Sequence, residues 1–332
     1  MMPIILQEGG QQLPTNGTQS EKRNVVFAEI YSSAIQSGRM KEQAHEERIS
    51  TTVPEFEQQQ HPKARMGEIE VEQETLLYGG NVTGATRIGQ TVRRATGSWS
   101  TTVHTLLRHL EASGFTGAPR FVGVDEQGRE ILTFIEGEVG HYPLPRSLWS
   151  DESLVAVARF LRRYHDATLS YIPPADASWQ FTYPDRQQHE IICHGDVASY
   201  NLVYRDGKPH ALIDFDTAGP GPRLWDLAYA AYRFVPLSYA QDMQDLGLSD
   251  PVIQGPRIRL FCQAYGLEQP FTDVLDFVEH RLQAMCSWLS EGVAAQDLVR
   301  QRLVNEGHLD YYWREIAAFQ QHRPLLQRNL TY

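Results

Sequence analysis

The most constraining feature of this sequence is the stretch ICHGDVASYNLVYRDGKPHALIDFD, which runs from Ile192 to Asp216. The turn RDG separates two short apolar runs, a pattern that is typical of a β-hairpin. Asp196 and Asn201 precede the first run, and Asp214 follows the second. Because a hairpin returns the chain to the end at which it started, we expect these three polar side chains to converge.

Two carboxylates and an amide at one point form a ligand set that suits Mg²⁺, which prefers oxygen ligands and keeps room for water and phosphate oxygens. Transfer of a γ-phosphoryl group needs metal ions on the phosphates and a carboxylate that orients the attacking hydroxyl. We therefore expect Asp196 to act on the hydroxyl, and Asn201 and Asp214 to hold the metal. The alternative is that all three residues only satisfy backbone groups at the ends of a hairpin.

The length of 332 residues suits two packed lobes rather than one small core. Residues 1–66 are rich in Gln, Glu, Ser and Thr, a composition that buries little apolar surface. We predict a polar, disordered extension over 1–66, a first lobe over 67–136 and a second lobe over 137–332.

The first lobe is predicted to be a β-sheet with one helix. IEVEQETLLYGG, ATRIGQTVRRATG and APRFVGVDEQGREILTFIEGE are β-favouring runs broken by turns, and WSTTVHTLLRHLEASGF has helical spacing of leucines before Gly114. The second lobe is predicted to be mainly helical, with helices in SLVAVARFLRRYHDATL and RLWDLAYAAYRFV and three or four more from about Arg257 to Leu326. The fold class expected from this order is α+β.

Charge and cysteine content exclude several functional classes. The formal net charge of −11 disfavours partners such as nucleic acid and anionic membrane surfaces. No apolar stretch approaches the roughly 20 residues of a membrane span. The three cysteines form no CxxC pair, which favours a reduced, cytoplasmic protein, and we interpret Cys193 as a small core residue.

HGDVASYN followed by LIDFD resembles the catalytic loop and metal-binding segment of the aminoglycoside phosphotransferase and choline kinase family, whose members are relatives of the protein kinases. The family pattern is H-G-D-x4-N, an apolar strand and I-D-x-[DE]. The matching residues here are His194, Gly195, Asp196, Asn201, Ile213, Asp214, Phe215 and Asp216. The resemblance covers about residues 70 to 325. It implies a protein-kinase-like, two-lobed fold with Mg²⁺ and ATP in the cleft, GTP being an open alternative donor.

The resemblance also assigns nucleotide-binding residues in the first lobe. Gly79 and Gly80 stand where the family places its phosphate-covering turn, although such a pair also suits a plain hairpin turn. Arg94 stands at the cation that touches the α- and β-phosphates. Arg93 is the alternative, because neighbouring strand residues point to opposite faces. Ile135, in TFIEG, lies in the hinge whose backbone contacts adenine.

One position departs from the family pattern. Family members often carry a glutamate on the helix after that strand, and it pairs with the phosphate-binding cation. His104 occupies the matching position here, and Glu111 lies about two turns further along. Either the arginine is held differently or nucleotide is bound more weakly.

Other polar residues are expected to support the site. By the resemblance, His194 braces the loop and Asp226 supports the loop backbone. Asp216 is a candidate ligand of a second metal, with capping of the next turn as the alternative. Four acidic residues of the last helices could line an acceptor pocket, but charged helix residues more often form a solvated face: Glu291, Asp297, Glu306 and Asp310.

The expected function is therefore magnesium-dependent phosphorylation of a hydroxyl on a small molecule, for which an aminoglycoside or similar antibiotic is one candidate. A metabolite such as choline or homoserine is an alternative acceptor. A nucleotide-binding pseudokinase that serves as an interaction module is a second hypothesis, supported by His104. A metal-dependent phosphohydrolase is a third, but it would need more His or Asp ligands than the hairpin offers.

Overall fold

The computed structural model describes residues 74–77, 84–239, 247–268 and 270–331. All of them belong to the compact unit Glu70–Tyr332. The polar segment 1–66 and the glycines Gly79 and Gly80 lie outside the described residues.

The amino-terminal part is an antiparallel five-stranded sheet with the strand order β1-β2-β3-β5-β4. The strands form where β-favouring runs alternate with turns, as expected. Between β3 and β4 the chain forms one helix, whose apolar side chains at helical spacing are buried. These elements are β1 (Glu74–Leu77), β2 (Ala85–Ile88), β3 (Thr91–Arg94), α1 (Ser100–Ala112), β4 (Phe121–Val124) and β5 (Glu130–Thr133).

The rest of the described chain is mainly helical. α3 packs against α5, α4 packs against α2 and α7, and α7 also packs against α5. A continuous apolar core connects these helices to α1. The helices are α2 (Asp151–Thr168), α3 (Arg223–Phe234), α4 (Pro251–Tyr265), α5 (Asp273–Ala294), α6 (Leu298–Asn305) and α7 (His308–Thr331).

Short strands interrupt the helices and carry the stretch with which the sequence analysis began. β8 and β9 form the predicted hairpin, and its turn is Asp206–Gly207, both at positive φ. β6 pairs with β8, and β10 pairs with β7, so the segments before β8 and after β9 meet at one end. These strands are β6 (Glu138–Val139), β7 (Ile191–Cys193), β8 (Leu202–Arg205), β9 (Lys208–Leu212) and β10 (Gly219–Gly221).

The start of α4 differs from the sequence-based prediction. The prediction placed the first of the last helices from about Arg257. Instead the helix begins at Pro251, where the Asp250 side chain accepts from the Val252 N–H, and it continues through Pro256. An aspartate before a proline at the first helical position is a regular start signal.

The described residues contain no helix that is both long and apolar enough to cross a membrane. The three cysteines are unpaired and buried. Burial raises the pKa of the Cys193 thiol. Because the thiolate is the nucleophilic form, a raised pKa does not suit a nucleophile.

Candidate active site

The loop between β7 and β8 is held by one buried carboxylate. Asp226, on α3, is fully buried and accepts hydrogen bonds from the backbone N–H groups of His194 (2.6 Å) and Gly195 (2.8 Å). His165 Nε2 lies 3.1 Å from the same carboxylate. Burial alone would raise the pKa of Asp226, but these hydrogen bonds outweigh it and the pKa is lowered. Asp226 therefore stays ionised and fixes the start of the loop.

The loop is also joined to the segment that contains Asp214. Gly195 has a φ of +83°, and a Cβ there would lie 2.3 Å from the carbonyl oxygen of Thr217, so only glycine fits. The Thr217 hydroxyl donates to the His194 carbonyl at 3.1 Å, and the His194 ring lies 3.0 Å from the Ile213 carbonyl. His194 thus braces two segments.

Asp196 lies within this loop with each of its carboxylate oxygens bonded. The Tyr200 hydroxyl donates to Oδ1 at 2.9 Å, and the Asn201 side-chain amide donates to Oδ2 at 2.8 Å. A short 3₁₀ turn, Ser199–Asn201, places both donors. Tyr200 was not among the residues predicted from the sequence. Its spacing of four residues from Asp196, together with a turn before β8, was the available signal.

Arg94 connects the sheet to the segment after β9. It donates to Asp214 Oδ1 at 2.7 Å and to Asp216 Oδ1 at 2.5 Å. Asp214 has a left-handed backbone (φ 64°), which turns the chain directly after the strand. Residues 120 or more positions apart in the sequence thus meet as one ion-pair group.

The third partner of Arg94 is a residue that the sequence analysis missed. Arg94 Nε donates to Glu130 Oε1 at 2.8 Å, and Glu130 lies directly opposite Arg94 in the β3–β5 register. The other oxygen of Glu130 lies 2.8 Å from His104 Nε2, and the His104 ring stacks on Phe121 at 3.8 Å. The glutamate that pairs with the cation is therefore on strand β5, and the helix supplies a histidine that holds this glutamate. Of the two explanations for His104, the structure supports a different way of holding the arginine.

The alternatives to these residues lie elsewhere. Arg93 Nη1 donates to the Thr91 hydroxyl at 2.5 Å, and its Nε is 3.9 Å from Asp125. Glu111 is 41% exposed and faces Arg120 at 3.3 Å. Neither residue contacts Asp214 or Asp216 in the described part of the chain.

Charge dominates the environment of Arg94. Burial lowers the pKa of Arg94, but three carboxylates overcome this effect and keep the pKa above its ordinary value. Burial raises the pKa of Asp216, the charge of Arg94 opposes this, and the neighbouring carboxylates Asp214 and Glu130 add to the increase. The group has three acidic side chains for one guanidinium, so it carries an excess of negative charge.

The oxygen atoms present fit a magnesium ion. Asn201 uses its amide nitrogen toward Asp196, and no described residue donates to its side-chain oxygen. Asp214 uses Oδ1 toward Arg94, and its side chain is 40% exposed. Carboxylate and amide oxygens are ligands that Mg²⁺ prefers, and Asp214 and Asn201 would supply one of each. Within the described ranges no group of three or more His, Cys, Asp or Glu could hold a metal ion.

The remaining sequence-predicted residues are placed as follows. Ile135 is half-buried in the segment after β5, and its backbone N–H and C=O have no hydrogen-bond partner among the described residues. Gly79 and Gly80 lie outside the described residues. Asp297 caps α6, and Glu306 lies 3.6 Å from Arg302. Glu291 and Asp310 are exposed.

Comparison with known proteins identifies relatives in sequence. The sequence model of the phosphotransferase enzyme family matches residues 148–251. A trifolitoxin immunity protein from Rhizobium leguminosarum bv. trifolii is 42% identical over 201 residues, which is 59% of this chain and 75% of the relative.

Solved structures show the same fold at low identity. A choline/ethanolamine kinase family protein from Mesorhizobium loti aligns with a TM-score of 0.53 and 15% identity, over 80% of this chain and 93% of that one. Ethanolamine kinase from Plasmodium vivax also aligns with a TM-score of 0.53. The identity is 13%, over 79% of this chain and 84% of that one. The GDP complex of a variant of aminoglycoside 2'-phosphotransferase-IIIa aligns with a TM-score of 0.52. The identity is 16%, over 77% of this chain and 95% of that one. The expected protein-kinase-like fold is confirmed, and the chain belongs to the phosphotransferase enzyme family.

Proposed function

We propose that this protein transfers the γ-phosphoryl group of ATP to a hydroxyl group of a small molecule. The observation that best supports the proposal is the contact of Arg94, on the sheet, with Asp214 and Asp216, beside the loop of Asp196. A cation that could bind phosphates is thus held at the carboxylates that could bind the metal, and it would turn from them to the phosphates when nucleotide binds.

Asp196 is proposed to orient the acceptor hydroxyl and to receive its proton. The hydroxyl oxygen forms a bond to the γ-phosphorus, the bond from that phosphorus to the β–γ bridging oxygen breaks, and ADP leaves. Tyr200 and Asn201 fix the carboxylate, because each donates to a different oxygen. The second lone pair of each oxygen remains available to the acceptor.

The nucleotide side of the site follows from the same geometry. Asp214 and Asn201 would hold magnesium, which supplies charge neutralisation at the phosphates when bound. Arg94 would contact the phosphates, and the unpaired backbone of Ile135 offers a donor and an acceptor to the adenine edge. GTP is worth testing beside ATP, because the aminoglycoside 2'-phosphotransferase-IIIa neighbour was solved with GDP.

An antibiotic or similar toxin is the first class of acceptor to consider. The relative at 42% identity is named for immunity to trifolitoxin, and chemical modification of a toxin is one route to immunity. The pseudokinase hypothesis rested on His104. Since Glu130 gives Arg94 its carboxylate partner, that support is gone.

The test is release of ADP from Mg-ATP or Mg-GTP in the presence of hydroxylated compounds, including aminoglycosides, macrolides, choline and homoserine. We expect Asp196→Ala to lower acceptor-stimulated release about a hundredfold or more, while nucleotide still binds. Asp176→Ala, an exposed aspartate on another segment, is the matched control. Full turnover by Asp196→Ala would refute the role of Asp196, and failure to bind any nucleotide would refute the proposed function.

A further inference from the structure

A group of tyrosines is connected to Asp196 through Tyr200. The Tyr200 hydroxyl, which donates to Asp196, also lies 3.5 Å from the Tyr229 hydroxyl. Tyr311 and Tyr312 lie edge to face at 5.4 Å, and Tyr312 is hydrogen-bonded to Tyr229. Tyr200, Tyr311 and Tyr312 are all partly exposed, so this group is within reach of a ligand.

These phenols are protonated at neutral pH. Burial, followed by the negative charge of Asp196, raises the pKa of both Tyr200 and Tyr229. They therefore act as neutral hydrogen-bond donors and as aromatic faces.

Arg233 packs against the same tyrosines and pairs with no carboxylate among the described residues. Its guanidinium packs over the rings of Tyr142 (5.2 Å) and Tyr200 (5.4 Å). Its Nε is buried without a hydrogen-bond partner. No carboxylate in the described part of the chain lies within ion-pair distance of it. Aromatic faces stabilise a cation only in part, so an anion is the partner that this guanidinium lacks.

Arg281 repeats this pattern deeper in the protein. It is only 2% exposed, and its Nη2 donates to the Gly195 carbonyl at 2.5 Å. Its Nε and Nη1 are buried with no hydrogen-bond partner, and its guanidinium lies 4.6 Å from the Tyr229 ring centre. By contrast, the buried Arg257 pairs with Asp151. An unpaired buried charge is costly, and Arg281 carries such a charge. The half-buried Arg233 packs against the same tyrosine group.

Among the described residues, two carboxylates raise the pKa values of this tyrosine group: Asp196 and Glu315. Both oxygens of Asp196 already accept hydrogen bonds, one from the Tyr200 hydroxyl and one from the Asn201 amide. Glu315 is buried, and its Oε2 already accepts from the Tyr232 hydroxyl and the Tyr239 N–H. A cationic group placed beside Arg233 would be repelled by it, whereas an anionic group there would pair with its unpartnered charge.

We propose that the acceptor carries an anionic group, a carboxylate or phosphate, which binds Arg233 while the hydroxyl to be phosphorylated meets Asp196. Tyr200 lies between the two, with its hydroxyl on Asp196 and its ring beneath Arg233, so one small molecule can reach both. The buried Arg281, 4.6 Å from the Tyr229 ring centre, adds its positive charge to this region. This inference rests on the proposed function, since it describes the acceptor side of the same site.

The test compares acceptors with and without an anionic group, with the full chain and Mg-ATP. The matched pairs are N-acetylserine with its amide, 3-hydroxybutyrate with its amide, and glycerol 3-phosphate with glycerol. Kanamycin and choline represent cations. ADP release measures turnover, and the thermal unfolding temperature with Mg-ADP measures binding. We expect acids to act at concentrations at least tenfold lower than their neutral partners, and the carboxylate and phosphate pairs distinguish the two anions.

Variants connect the charge preference to Arg233. Arg233→Gln is expected to abolish the tenfold preference with nucleotide affinity unchanged, and Arg233→Lys to retain part of it, because lysine keeps the charge but not the planar fork. Arg159→Gln, an exposed arginine on α2, should behave like the unmodified protein.

Three results would overturn the inference: a preference for kanamycin, choline or the amides, no response to any acid, or a preference that survives in Arg233→Gln. Nucleotide binding in the same samples keeps the two proposals apart. Transfer to kanamycin with normal nucleotide binding would leave the phosphotransferase standing without an anionic acceptor. Loss of nucleotide binding would refute the phosphotransferase itself.

Discussion

Arg94 holds its position through a carboxylate from the neighbouring strand. Glu130 accepts from Arg94 Nε on one oxygen and contacts His104 on the other. Burial alone would raise the pKa of Glu130, but the hydrogen bond from His104 and the charge of Arg94 outweigh it, so the pKa is lowered. The glutamate is thus ionised at neutral pH and fixes the direction of the guanidinium.

Glu130→Gln should weaken nucleotide binding. A charge-assisted hydrogen bond contributes about 1.5–3 kcal/mol, so we expect the KM for ATP to rise about tenfold or more with a much smaller change in kcat. The loss of one negative charge acts in the opposite direction, but we expect the loss of the contact that fixes the direction of the guanidinium to dominate. The measurement is initial rate against ATP concentration.

Glu111→Gln is the control for this change, since Glu111 lies on the helix and faces Arg120 at 3.3 Å. It should leave the KM unchanged. A larger effect of Glu111→Gln than of Glu130→Gln would contradict the strand-based pairing.

Much of the local structure was predictable because it depends on neighbours in sequence. The hairpin of β8 and β9, its Asp206–Gly207 turn and the helix periodicities are all local patterns. The partner of Arg94 was not predictable in the same way. It depends on the register between β3 and β5, and these strands are separated in the chain by α1 and β4.

The aromatic surface beside Asp196 was missed for the same reason. Tyr142 comes before α2, Arg233 ends α3, and Tyr311 and Tyr312 lie on α7. Each residue by itself resembles ordinary packing. Only the packing of helices from distant parts of the sequence brings them to the loop. The hydrophobic periodicity of a helix does not show which other helix it packs against.

At the scale of elements, α3 holds the loop of Asp196 through one side chain. Asp226→Asn should lower the free energy of unfolding by about 2–4 kcal/mol at pH 7, because an amide cannot accept two backbone N–H groups as an ionised carboxylate does. The pKa of Asp226 is lower in the folded state. Its stabilisation is therefore present above the unfolded-state pKa of about 3.9 and is lost as the pH falls through the folded-state value.

The difference between the parent protein and Asp226→Asn should accordingly shrink below about pH 4. Urea unfolding at a series of pH values measures it. Asp166→Asn is the matched control: its carboxylate is 43% exposed and pairs with arginines at the surface, so its loss should cost at most about 1 kcal/mol. An undiminished difference at low pH would contradict the assignment of the effect to the ionised carboxylate.

At the scale of the whole molecule, the two parts of the chain meet around a shared cation. Arg94 belongs to the sheet, while Asp214 and Asp216 follow β9 in the mainly helical part. With Glu130, three carboxylates surround one guanidinium. A nucleotide would bring further negative charge to a place where acidic groups already outnumber the base.

Because of this excess of carboxylates, we expect the binding of Mg²⁺ and the binding of the nucleotide to depend on each other. Arg94 can turn from Asp214 and Asp216 to a phosphate at low cost only if another cation compensates those carboxylates. We therefore expect saturating Mg²⁺ to strengthen ADP binding at least tenfold, and ADP to strengthen Mg²⁺ binding by the same factor, as thermodynamic reciprocity demands. Calorimetric titration of each ligand with and without the other measures this cooperativity. Removal of one excess charge in Asp216→Asn should reduce it, and two ligands that bind independently would show that Arg94 is not shared between the carboxylates and the nucleotide.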